Sequence, residues 1–430
     1  MPRSFLFLQG PISPFFRELG AELARRGHAV RRVNLCLGDR LLWNDARAED
    51  FRGRPEEWPA FIGTRLDGAT DLVLLGEQRP LHQAAIAEAQ RRGVAVTATD
   101  FGYLRPDWVV LERDGMNALS RYPRGRAGIL ALAQGAPPLD MAPRFRGDFR
   151  RQAAWDIAFH LLNELPWPFR HWARYQLHHP IPGYLGTGWR LLRAGPRTRA
   201  AEALMAAIPA AAPLFLFAMQ METDYSIRAY SPYEDMDTPL GEAIRSFAAH
   251  AAPEARLVVK VHPLDPGLKR WGRRIAALAA AAGVEGRVHL VDGLPLGPAL
   301  ARARGLLTVN STTGLDALRQ GCPAIALGRA LWDVPGLAHQ GGLDAFWTAP
   351  EGADPVLLDA FLRGLAHHLH VRGDFYAPAG RAAAVQAAAG RLEQGAGPPA
   401  ILPAPRPRLA AAPIPAAGGG GRARAARAPG

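Results

Sequence analysis

Short apolar runs alternate with amphipathic segments in the first part of the chain, and this alternation constrains the fold more than any other feature. Short apolar runs bounded by turn residues are typical of buried β-strands. They predict strands at Ser4–Leu8, Ala29–Asn34, Leu72–Leu75 and Val94–Thr99. The segments Pro14–Arg26 and Leu81–Arg92 have helical spacing, and a glycine that ends a helix follows each of them. This order of strands and helices implies a mostly parallel sheet.

The same alternation returns in the second half of the chain. Strands are predicted at Leu214–Ala218, Arg256–Val261, Val288–Val291, Leu306–Val309 and Ala324–Leu327. Helices are predicted at Pro239–Ala251, Gly267–Ala282, Gly297–Arg304 and Thr313–Gln320. Two halves of this kind predict an α/β, GT-B-like fold, in which two Rossmann-type lobes face a central cleft. Ligands of such folds bind at the carboxyl ends of the strands.

Composition divides the chain further. Residues 121–205 are rich in Trp, His, Arg and Pro and have no strand rhythm, so a helical connector is predicted between lobes at 1–120 and 206–350. Further helices are expected at 351–394. Residues 395–430 consist mainly of Ala, Pro, Gly and Arg, a composition that cannot bury enough apolar surface to fold, and a disordered tail is predicted there.

The overall composition limits the compartment and the partners. No apolar stretch among the 430 residues is long enough for a transmembrane helix, and the N-terminal residues are interpreted as a first strand and not as a signal peptide. Only Cys36 and Cys322 are cysteines, so neither a disulfide framework nor a four-cysteine zinc site is expected. A reducing cytoplasm fits. The net charge of +12 favours an anionic partner, but no nucleic-acid-binding signature accompanies it.

The segment Lys260-Val261-His262-Pro263 is the strongest candidate site in the sequence. An apolar strand brings these residues to its carboxyl end, where α/β folds place active sites. Histidine can donate a proton or a hydrogen bond to a departing phosphate, and lysine can neutralise its charge. Pro263 would end the strand. A strand end with a solvent-facing histidine is the alternative interpretation.

The segment Asn310-Ser311-Thr312-Thr313-Gly314 joins a predicted strand to a predicted helix. Ser311 or Thr312 is a natural N-cap residue, and a helix N-terminus with free N–H groups can bind phosphate. This predicts a phosphate site that includes Asn310 and Gly314. Capping alone is the alternative, and the two roles are compatible.

An acidic loop follows the strand Leu214–Ala218 and contains Glu222 and Asp224. A carboxylate at a strand end can act as a base, or as a nucleophile that forms a covalent glycosyl intermediate. Both residues are therefore candidate catalytic groups. A solvated acidic loop is the alternative.

Candidate acceptor-binding residues lie in the first half. Asp100, Tyr103 and Arg105 follow the strand Val94–Thr99 and could hold a hydroxylated or anionic acceptor, although a packed loop with a structural Arg–Asp pair is the alternative. His82 and Gln9 lie near other strand ends and are weaker candidates. No G-x-G-x-x-G follows the first strand, so no dinucleotide cofactor is expected, and HExxH, GxSxG and Walker motifs are also missing.

Several of these segments together resemble the capsule polysaccharide biosynthesis/export family, specifically its KpsS/LipA type. The matching pieces run in order across about residues 5–347. They are LQGPISPFF, EQRPLHQAAIAEAQRRG, FGYLRPDWVVLERDGMN, LFLFAMQMETDYSIRAYSP, LVVKVHPLD, LLTVNSTTGLDALRQGCPAIALG and GLDAFW. Any one piece is weak, but the ordered set is specific.

The resemblance implies a β-Kdo transferase of GT-B-like fold that takes Kdo from CMP-Kdo. The first lobe would bind a (lyso)phosphatidylglycerol acceptor and the second lobe the nucleotide sugar. His262 and Pro263 match the family's HP element, and Ser311 and Thr312 match its NST element, both expected at the CMP phosphate. Asp224 matches the aspartate of a D-x-x-I element and is the expected nucleophile.

Further expectations follow from the resemblance. Lys260 precedes the HP element and is expected to bind the sugar carboxylate or the phosphate. Donor and family product are both β-linked, so the reaction would retain configuration by double displacement. No metal or cofactor is expected. The protein would act in the cytoplasm, peripherally on the inner membrane, with a KpsC-type Kdo transferase and the capsule export machinery as partners and no nucleic acid.

Two alternatives remain open at this point. The first is a non-catalytic adaptor that assembles capsule export enzymes at the inner membrane. The second is another GT-B nucleotide-sugar enzyme, such as a sialyltransferase, a hexosyltransferase or an epimerase.

Overall fold

The structure is a computed structural model that describes residues 1–165, 167–172, 174 and 179–396. The strands are β1 (Ser4–Phe7), β2 (Ala29–Asn34), β3 (Ala48–Asp50), β4 (Asp71–Leu75), β5 (Ala95–Phe101), β6 (Trp108–Arg113), β7 (Leu214–Ala218), β8 (Arg256–Lys260), β9 (Val288–Val291), β10 (Gly305–Thr308), β11 (Ala324–Ala326) and β12 (His370–Arg372). All nine strands predicted from the apolar runs are present, within two residues at each end. Strands β3, β6 and β12 were not predicted.

Sixteen α-helices are found in the described part of the chain. They are α1 (Phe15–Arg25), α2 (Leu37–Leu42), α3 (Trp58–Leu66), α4 (Pro80–Arg91), α5 (Arg126–Leu132), α6 (Phe149–Leu162), α7 (Pro180–Leu192), α8 (Ala194–Ala207), α9 (Tyr225–Tyr230), α10 (Asp237–His250), α11 (Trp271–Ala281), α12 (Leu296–Arg302), α13 (Thr313–Arg319), α14 (Gly342–Phe346), α15 (Pro355–Leu369) and α16 (Pro378–Gln394).

The first lobe is built on a seven-stranded sheet with the order β12-β6-β5-β4-β1-β2-β3. Strands β3, β2, β1, β4 and β5 are parallel, and β6 and β12 run antiparallel at one edge. Successive side chains of β1 pack on opposite faces of the sheet, with Phe5 and Phe7 on the face that α1 covers and Leu6 on the face that α3 and α4 cover. Burial on both faces explains the continuous apolar runs.

The second lobe contains an entirely parallel five-stranded sheet with the order β11-β10-β7-β8-β9. Phe215 and Phe217 of β7 pack with α10 and α11 on one face, and Leu214 and Leu216 pack with the other core on the opposite face. Because β7 is the central strand, the loops after β8 and β10 lie on either side of the loop after β7. The α/β, GT-B-like architecture with two Rossmann-like lobes is therefore present.

The chain returns to the first lobe after the second sheet is complete. Residues 351–394, predicted to be helical, form α15 and α16 and also contain β12, which pairs antiparallel with β6. Helix α16 packs against α1, and α15 packs against α5. The described part of the connector at 121–205 contains α5 to α8. None of the helices in the described residues is long and apolar enough to cross a membrane. Most of the predicted tail, from residue 397 onward, lies outside the described residues.

Candidate active site between the two lobes

Asp224 lies in the loop after β7, at the start of α9. Its Oδ1 atom accepts a hydrogen bond from the backbone N–H of Ser226 (2.9 Å), so the carboxylate caps the helix. Its Oδ2 atom accepts a weaker bond from Gln220 Nε2 (3.3 Å). The residue is exposed to the cleft solvent. The capping bond thus orients an accessible carboxylate at the carboxyl edge of the second sheet.

Asn310 ties the end of β10 to this acidic loop. Its Oδ1 atom accepts hydrogen bonds from Gln220 Nε2 (2.9 Å) and Ser226 Oγ (3.0 Å), and its Nδ2 atom donates to the Ser226 carbonyl (2.8 Å). Its backbone N–H donates to Gln220 Oε1 (2.8 Å). Asn310 is buried, and its side chain accepts two of these bonds through Oδ1 and donates one through Nδ2. It therefore positions the Asp224 loop, and its direct contact with phosphate stays a prediction.

His262 follows β8 and is half-buried beside the same loop. The backbone N–H of Leu264 donates to its Nδ1 atom (3.1 Å), so the neutral ring carries its proton on Nε2. Burial and the nearby Lys260 ammonium lower the pKa of His262 below its ordinary value, against the opposing effect of Asp224. The ring is therefore neutral near pH 7 and offers an Nε2–H donor. Pro263 is exposed directly after it.

Lys260 is the last residue of β8 and is buried. Within the described part of the chain its ammonium makes no ion pair within 4 Å, although the charge of Asp292 acts on it. Burial lowers its pKa below the ordinary value of lysine. A buried cation next to His262 adds positive potential at this strand end.

The start of α13 approaches the cleft from the other side of β7. Ser311 Oγ and Thr313 Oγ1 are 2.9 Å apart, and the Ser311 carbonyl accepts a hydrogen bond from Trp332 Nε1 (2.9 Å). The Thr312 hydroxyl makes no hydrogen bond among the described residues. Gly314 lies against the Trp332 ring, where a Cβ atom would be 2.0 Å from Cζ2. Gly314 therefore serves close packing, and Thr312 offers the available hydroxyl.

The first lobe contributes two predicted residues to the opposite wall. Asp100 is the second-last residue of β5. Its Oδ1 atom accepts a hydrogen bond from the Phe101 N–H (2.7 Å), and burial raises its pKa above the ordinary value. Arg105 is exposed, with its guanidinium 5.1 Å from the centre of the Phe101 ring. The Asp224 carboxylate acts electrostatically on Asp100, Arg105 and His262. Residues predicted separately in the two lobes thus share one electrostatic environment.

Four predicted site residues are engaged elsewhere. Tyr103 is buried and donates to Glu112 in its own lobe, while the Asn117 N–H donates to its hydroxyl (2.7 Å). His82 is fully buried in α4, with Nδ1 at 2.8 Å from the Gly76 carbonyl and a pKa lowered to about 3 by burial. Neither side chain is available to an acceptor.

Gln9 and Glu222 are likewise engaged in structural contacts, each within its own lobe. Gln9 is buried between Asp39, to which it donates (3.1 Å), and Arg79, from which it accepts. Glu222 accepts from Lys269, and the Met236 N–H lies 3.3 Å from its Oε1 atom. The structure therefore favours a structural role for Glu222 over the predicted catalytic one.

The sequence reasoning missed three residues near the cleft. Asp316, in the first turn of α13, acts on Arg105 across the cleft, and burial raises its pKa. Arg79 acts on Asp100. Glu77 is buried, accepts from Tyr230 of the second lobe, and has a pKa raised by burial to about 7. Arg79 and Glu77 follow β4. His82 was predicted because it lies near the end of this strand, and the side chains of the segment that lie near the cleft are instead Arg79 and Glu77.

A separate cavity of about 260 Å³ lies outside this cleft, between α2 and the segment after α6. Cys36, Asn163 and Phe169 are among the residues that line it. None of the candidate site residues described above belongs to its wall.

These features define a class of protein: a two-lobed α/β protein of GT-B-like architecture, with a polar site between the lobes at the carboxyl ends of its strands. A sequence profile described as "Capsule polysaccharide biosynthesis protein" matches residues 70–376. The match covers more than half of the chain. The protein therefore belongs to this family of capsule polysaccharide biosynthesis proteins.

Individual relatives agree with this assignment. The "Capsule polysaccharide export protein KpsS" of Escherichia coli is 28% identical over 384 residues, which cover 87% of this chain and 97% of the relative. The "Capsule polysaccharide modification protein LipB" of Neisseria meningitidis serogroup A is 29% identical over 393 residues, 87% of this chain and 91% of the relative. The resemblance to the KpsS type is confirmed, and the Neisseria relative bears the name LipB rather than LipA.

Solved structures include a β-Kdo 2,7 transferase, KpsC of Thermosulfurimonas dismutans. It is similar over 91% of this chain and 99% of that chain, with 14% sequence identity and a TM-score of 0.46.

Proposed function

We propose that the protein is a retaining glycosyltransferase that moves Kdo from CMP-Kdo to a (lyso)phosphatidylglycerol acceptor and so starts the lipid anchor of a capsule polysaccharide. One observation carries the proposal. Asp224 and His262 of the second lobe face Asp100 and Arg105 of the first lobe closely enough for their charges to interact. This arrangement supports a cleft in which Asp224 would act as nucleophile, His262 as phosphate-binding donor and Asp100 as acceptor-side carboxylate.

In the first step, an Asp224 oxygen attacks the anomeric carbon of Kdo, and the bond from that carbon to the CMP phosphate oxygen breaks. CMP leaves with the electron pair. The neutral His262 ring donates a hydrogen bond from its Nε2–H to the departing phosphate. This bond stabilises the developing negative charge, a task that a metal ion performs in other enzymes. Lys260 at the end of β8 and the Thr312 hydroxyl after β10 lie on either side of β7 and would contact the same phosphate.

In the second step, an acceptor hydroxyl attacks the same carbon and displaces the Asp224 carboxylate. The hydroxyl proton needs a base on the acceptor side. Asp100 fits this role because its pKa is raised by burial, which makes it a better proton acceptor than an exposed aspartate. Arg105 would bind an anionic group of the lipid or the Kdo carboxylate. Two displacements at one carbon retain the β configuration.

The identity of the sugar rests on the ordered sequence motifs, since the relatives are named for capsule export and modification. We place the reaction at the cytoplasmic surface of the inner membrane. A KpsC-type transferase would extend the product, and the export machinery would receive it. The expectation of no metal and no cofactor belongs to the same proposal.

The decisive experiment is incubation of the full chain with CMP-Kdo and a fluorescent lysophosphatidylglycerol. CMP release, the product mass and the intact protein mass would be measured with EDTA present and without it. The wild type is expected to form a mono-Kdo lipid in both conditions. Asp224→Asn keeps an oxygen that can cap α9 but removes the nucleophile, so it should lose transfer by about 10³-fold or more without a change in melting temperature.

Two results would contradict the proposal. Full activity in Asp224→Asn would remove Asp224 from the chemistry. A folded wild type that releases no CMP and forms no product would favour the non-catalytic export adaptor, whereas turnover of another nucleotide sugar would favour a different GT-B enzyme.

A further inference from the structure

Helix α7 carries a stripe of exposed apolar side chains, here called the α7 stripe: Ile181, Leu185, Trp189 and Leu192. Their exposed fractions are 43%, 71%, 57% and 82%. They are spaced by four, four and three residues, which places all of them on one side of the helix. Apolar side chains grouped on one exposed face mark an interaction surface, whereas scattered ones need no explanation.

The rest of α7 is fixed to connector helix α6 and to the second lobe. Tyr184 donates to Asp156 of α6 (2.5 Å), and Arg190 donates to Asp292 after β9 (2.8 Å). Gly186 lies so close to the Pro266 backbone that a Cβ atom would be 2.1 Å from its carbonyl oxygen. These contacts fix the rotation of the helix and keep the α7 stripe turned away from the protein.

Other exposed apolar side chains are concentrated in the same connector. Of the large hydrophobic residues exposed in the described part of the chain, most lie between residues 149 and 192. Besides the α7 stripe, these are Phe149, Ile157, Leu161, Leu165, Trp167 and Leu191. Leu264 and Leu268 are also exposed, on either side of the Pro266–Gly267 turn that contacts α7. The exposed apolar surface therefore extends from the connector to the loop that carries His262.

The charges of the connector identify what would cover this surface. Residues 149–199 contain eight arginines and two carboxylates, and α7 itself has no carboxylate. Four of the arginines form ion pairs, and within the described residues the other four do not: Arg150, Arg170, Arg193 and Arg199. Both carboxylates have partners, because Asp156 binds Tyr184 and Glu164 binds Arg174. The Arg193 guanidinium stacks 4.1 Å from the centre of the Trp189 ring. Tryptophan and arginine next to apolar side chains are typical of helices that lie in the headgroup region of an anionic membrane.

We infer that the α7 stripe and its flanking arginines dock the protein on an anionic lipid bilayer, with α7 lying in the membrane interface. A second copy of this chain fits less well, because a symmetric contact would bring the arginines of two connectors together. The contact between Gly186 and Pro266 holds the turn after His262 next to the docked helix. The inference takes its lipid acceptor from the proposed function, but membrane docking can be tested without a sugar donor.

The test is co-sedimentation of the full chain with vesicles of phosphatidylglycerol and phosphatidylcholine in equal parts, and with vesicles of phosphatidylcholine alone. The wild type is expected to bind the anionic vesicles more tightly than the vesicles of phosphatidylcholine alone. Its affinity for the anionic vesicles should fall as the salt concentration is raised. Leu185→Glu with Trp189→Glu should lower the affinity for anionic vesicles at least about tenfold, because two apolar side chains no longer enter the interface. Val356→Glu is the matched control, an exposed apolar residue of α15 outside the connector.

Folding and self-association are checked on the same variants by melting temperature and light scattering. If the double variant does not fold, Arg193→Glu, a single exposed change, replaces it and should also weaken binding. Wild-type affinity in these variants, or equal binding to the two kinds of vesicle, would overturn the inference. A wild-type dimer that the double variant converts to monomer, with vesicle binding intact, would assign the stripe to self-association. Vesicle binding without Kdo transfer would contradict the proposed function alone.

Discussion

At the scale of single residues, His262 shows how backbone geometry selects a chemical role. The turn after β8 brings the Leu264 N–H to Nδ1, so one ring nitrogen is occupied as an acceptor and the other must carry the proton. Burial and Lys260 lower the pKa of the ring, which keeps it neutral over a wider range of pH. The result is a hydrogen-bond donor that carries no formal charge before the phosphate begins to leave.

Replacement of His262 by alanine should lower kcat for CMP release by about 10²–10³-fold, as expected for loss of one donor at a developing charge. Protonation of Nδ1 would break the hydrogen bond from the Leu264 N–H that orients the ring. Because the pKa of His262 lies below the ordinary histidine value, wild-type activity should therefore fall only when the pH drops below about 6.5. His262→Gln keeps an N–H donor that does not titrate. It should retain more activity than His262→Ala and lose this acid-side decrease, as measured by kcat against pH.

An unchanged acid-side decrease in His262→Gln would assign that titration to another group. Asp100 is the candidate for that group. If it is responsible, Asp100→Asn should shift the pH at which activity decreases, but should still release CMP when water replaces the lipid acceptor.

The sequence could show which residues lie near the cleft, but not which way each side chain points. Strand-end positions grouped Asp224, His262, Asp100 and Arg105, because the carboxyl ends of parallel strands meet at one edge of a sheet, and the charge of Asp224 acts on the other three. Tyr103 is only two residues from Arg105, yet it turns into its own lobe to bond Glu112. Side-chain direction in a loop depends on partners distant in sequence, so pattern alone could not separate the two.

At the scale of elements, the start of α13 depends on close packing between Gly314 and Trp332. A methyl group at residue 314 would overlap the indole ring, which is fixed by its bond to the Ser311 carbonyl. Overpacking of this kind forces the helix and the ring apart. Ser311 and Thr312 would move with the helix, so this packing determines where the candidate phosphate site lies relative to the strand ends.

Gly314→Ala should lower the free energy of unfolding by about 1–3 kcal/mol and raise the KM for the nucleotide sugar. Gly297→Ala in α12 is the matched control, since a Cβ atom there meets no atom within 4 Å. The control should be neutral or slightly stabilising, because alanine favours a helix more than glycine does. Urea unfolding and initial-rate measurements check both variants. A Gly314→Ala protein with wild-type stability would contradict the packing account.

Elements with strong apolar runs were predictable and weakly patterned ones were not. Strands β1 and β4 are buried on both faces, which imposes nearly continuous apolar sequences. Strand β12 has only three residues and joins the sheet by pairing with β6, far earlier in the chain. A strand so short carries no periodicity of its own. Its existence depends on a tertiary contact that no local window of the sequence contains.

At the scale of the whole molecule, hydrogen bonds that cross between the lobes set the geometry of the cleft. Tyr230, at the end of the helix that Asp224 caps, donates to buried Glu77 of the first lobe, and Gln78 Nε2 lies 3.1 Å from the same hydroxyl. Arg124 donates to the carbonyls of Ala330 (2.5 Å) and Leu331 (2.9 Å). Because α9 is held at both ends, the position of Asp224 relative to Asp100 depends on this contact between the lobes.

The Glu77 contact predicts how stability depends on pH. Burial raises the pKa of Glu77 to about 7, whereas the unfolded chain ionises near 4.5. Between these values the unfolded state has lost the proton that the folded state retains, so the free energy of unfolding should fall as the pH rises from about 4.5 to about 7 and then level off. The full effect of this one group would be about 3 kcal/mol at most.

Glu77→Gln keeps an oxygen that accepts from Tyr230 but cannot ionise, so its unfolding free energy should vary less between pH 5 and pH 7 than that of the wild type. Urea unfolding across this range measures the slope. Buried Glu112, whose pKa is raised to about 8, should also make the free energy of unfolding fall as the pH rises. Glu112→Gln should reduce this fall over a range that extends up to about pH 8. Exposed Glu254→Gln should leave the slope unchanged. Equal slopes in the wild type and in Glu77→Gln would mean that the carboxyl group of Glu77 is already ionised in the folded protein, and that the lobes are joined there by a charged hydrogen bond.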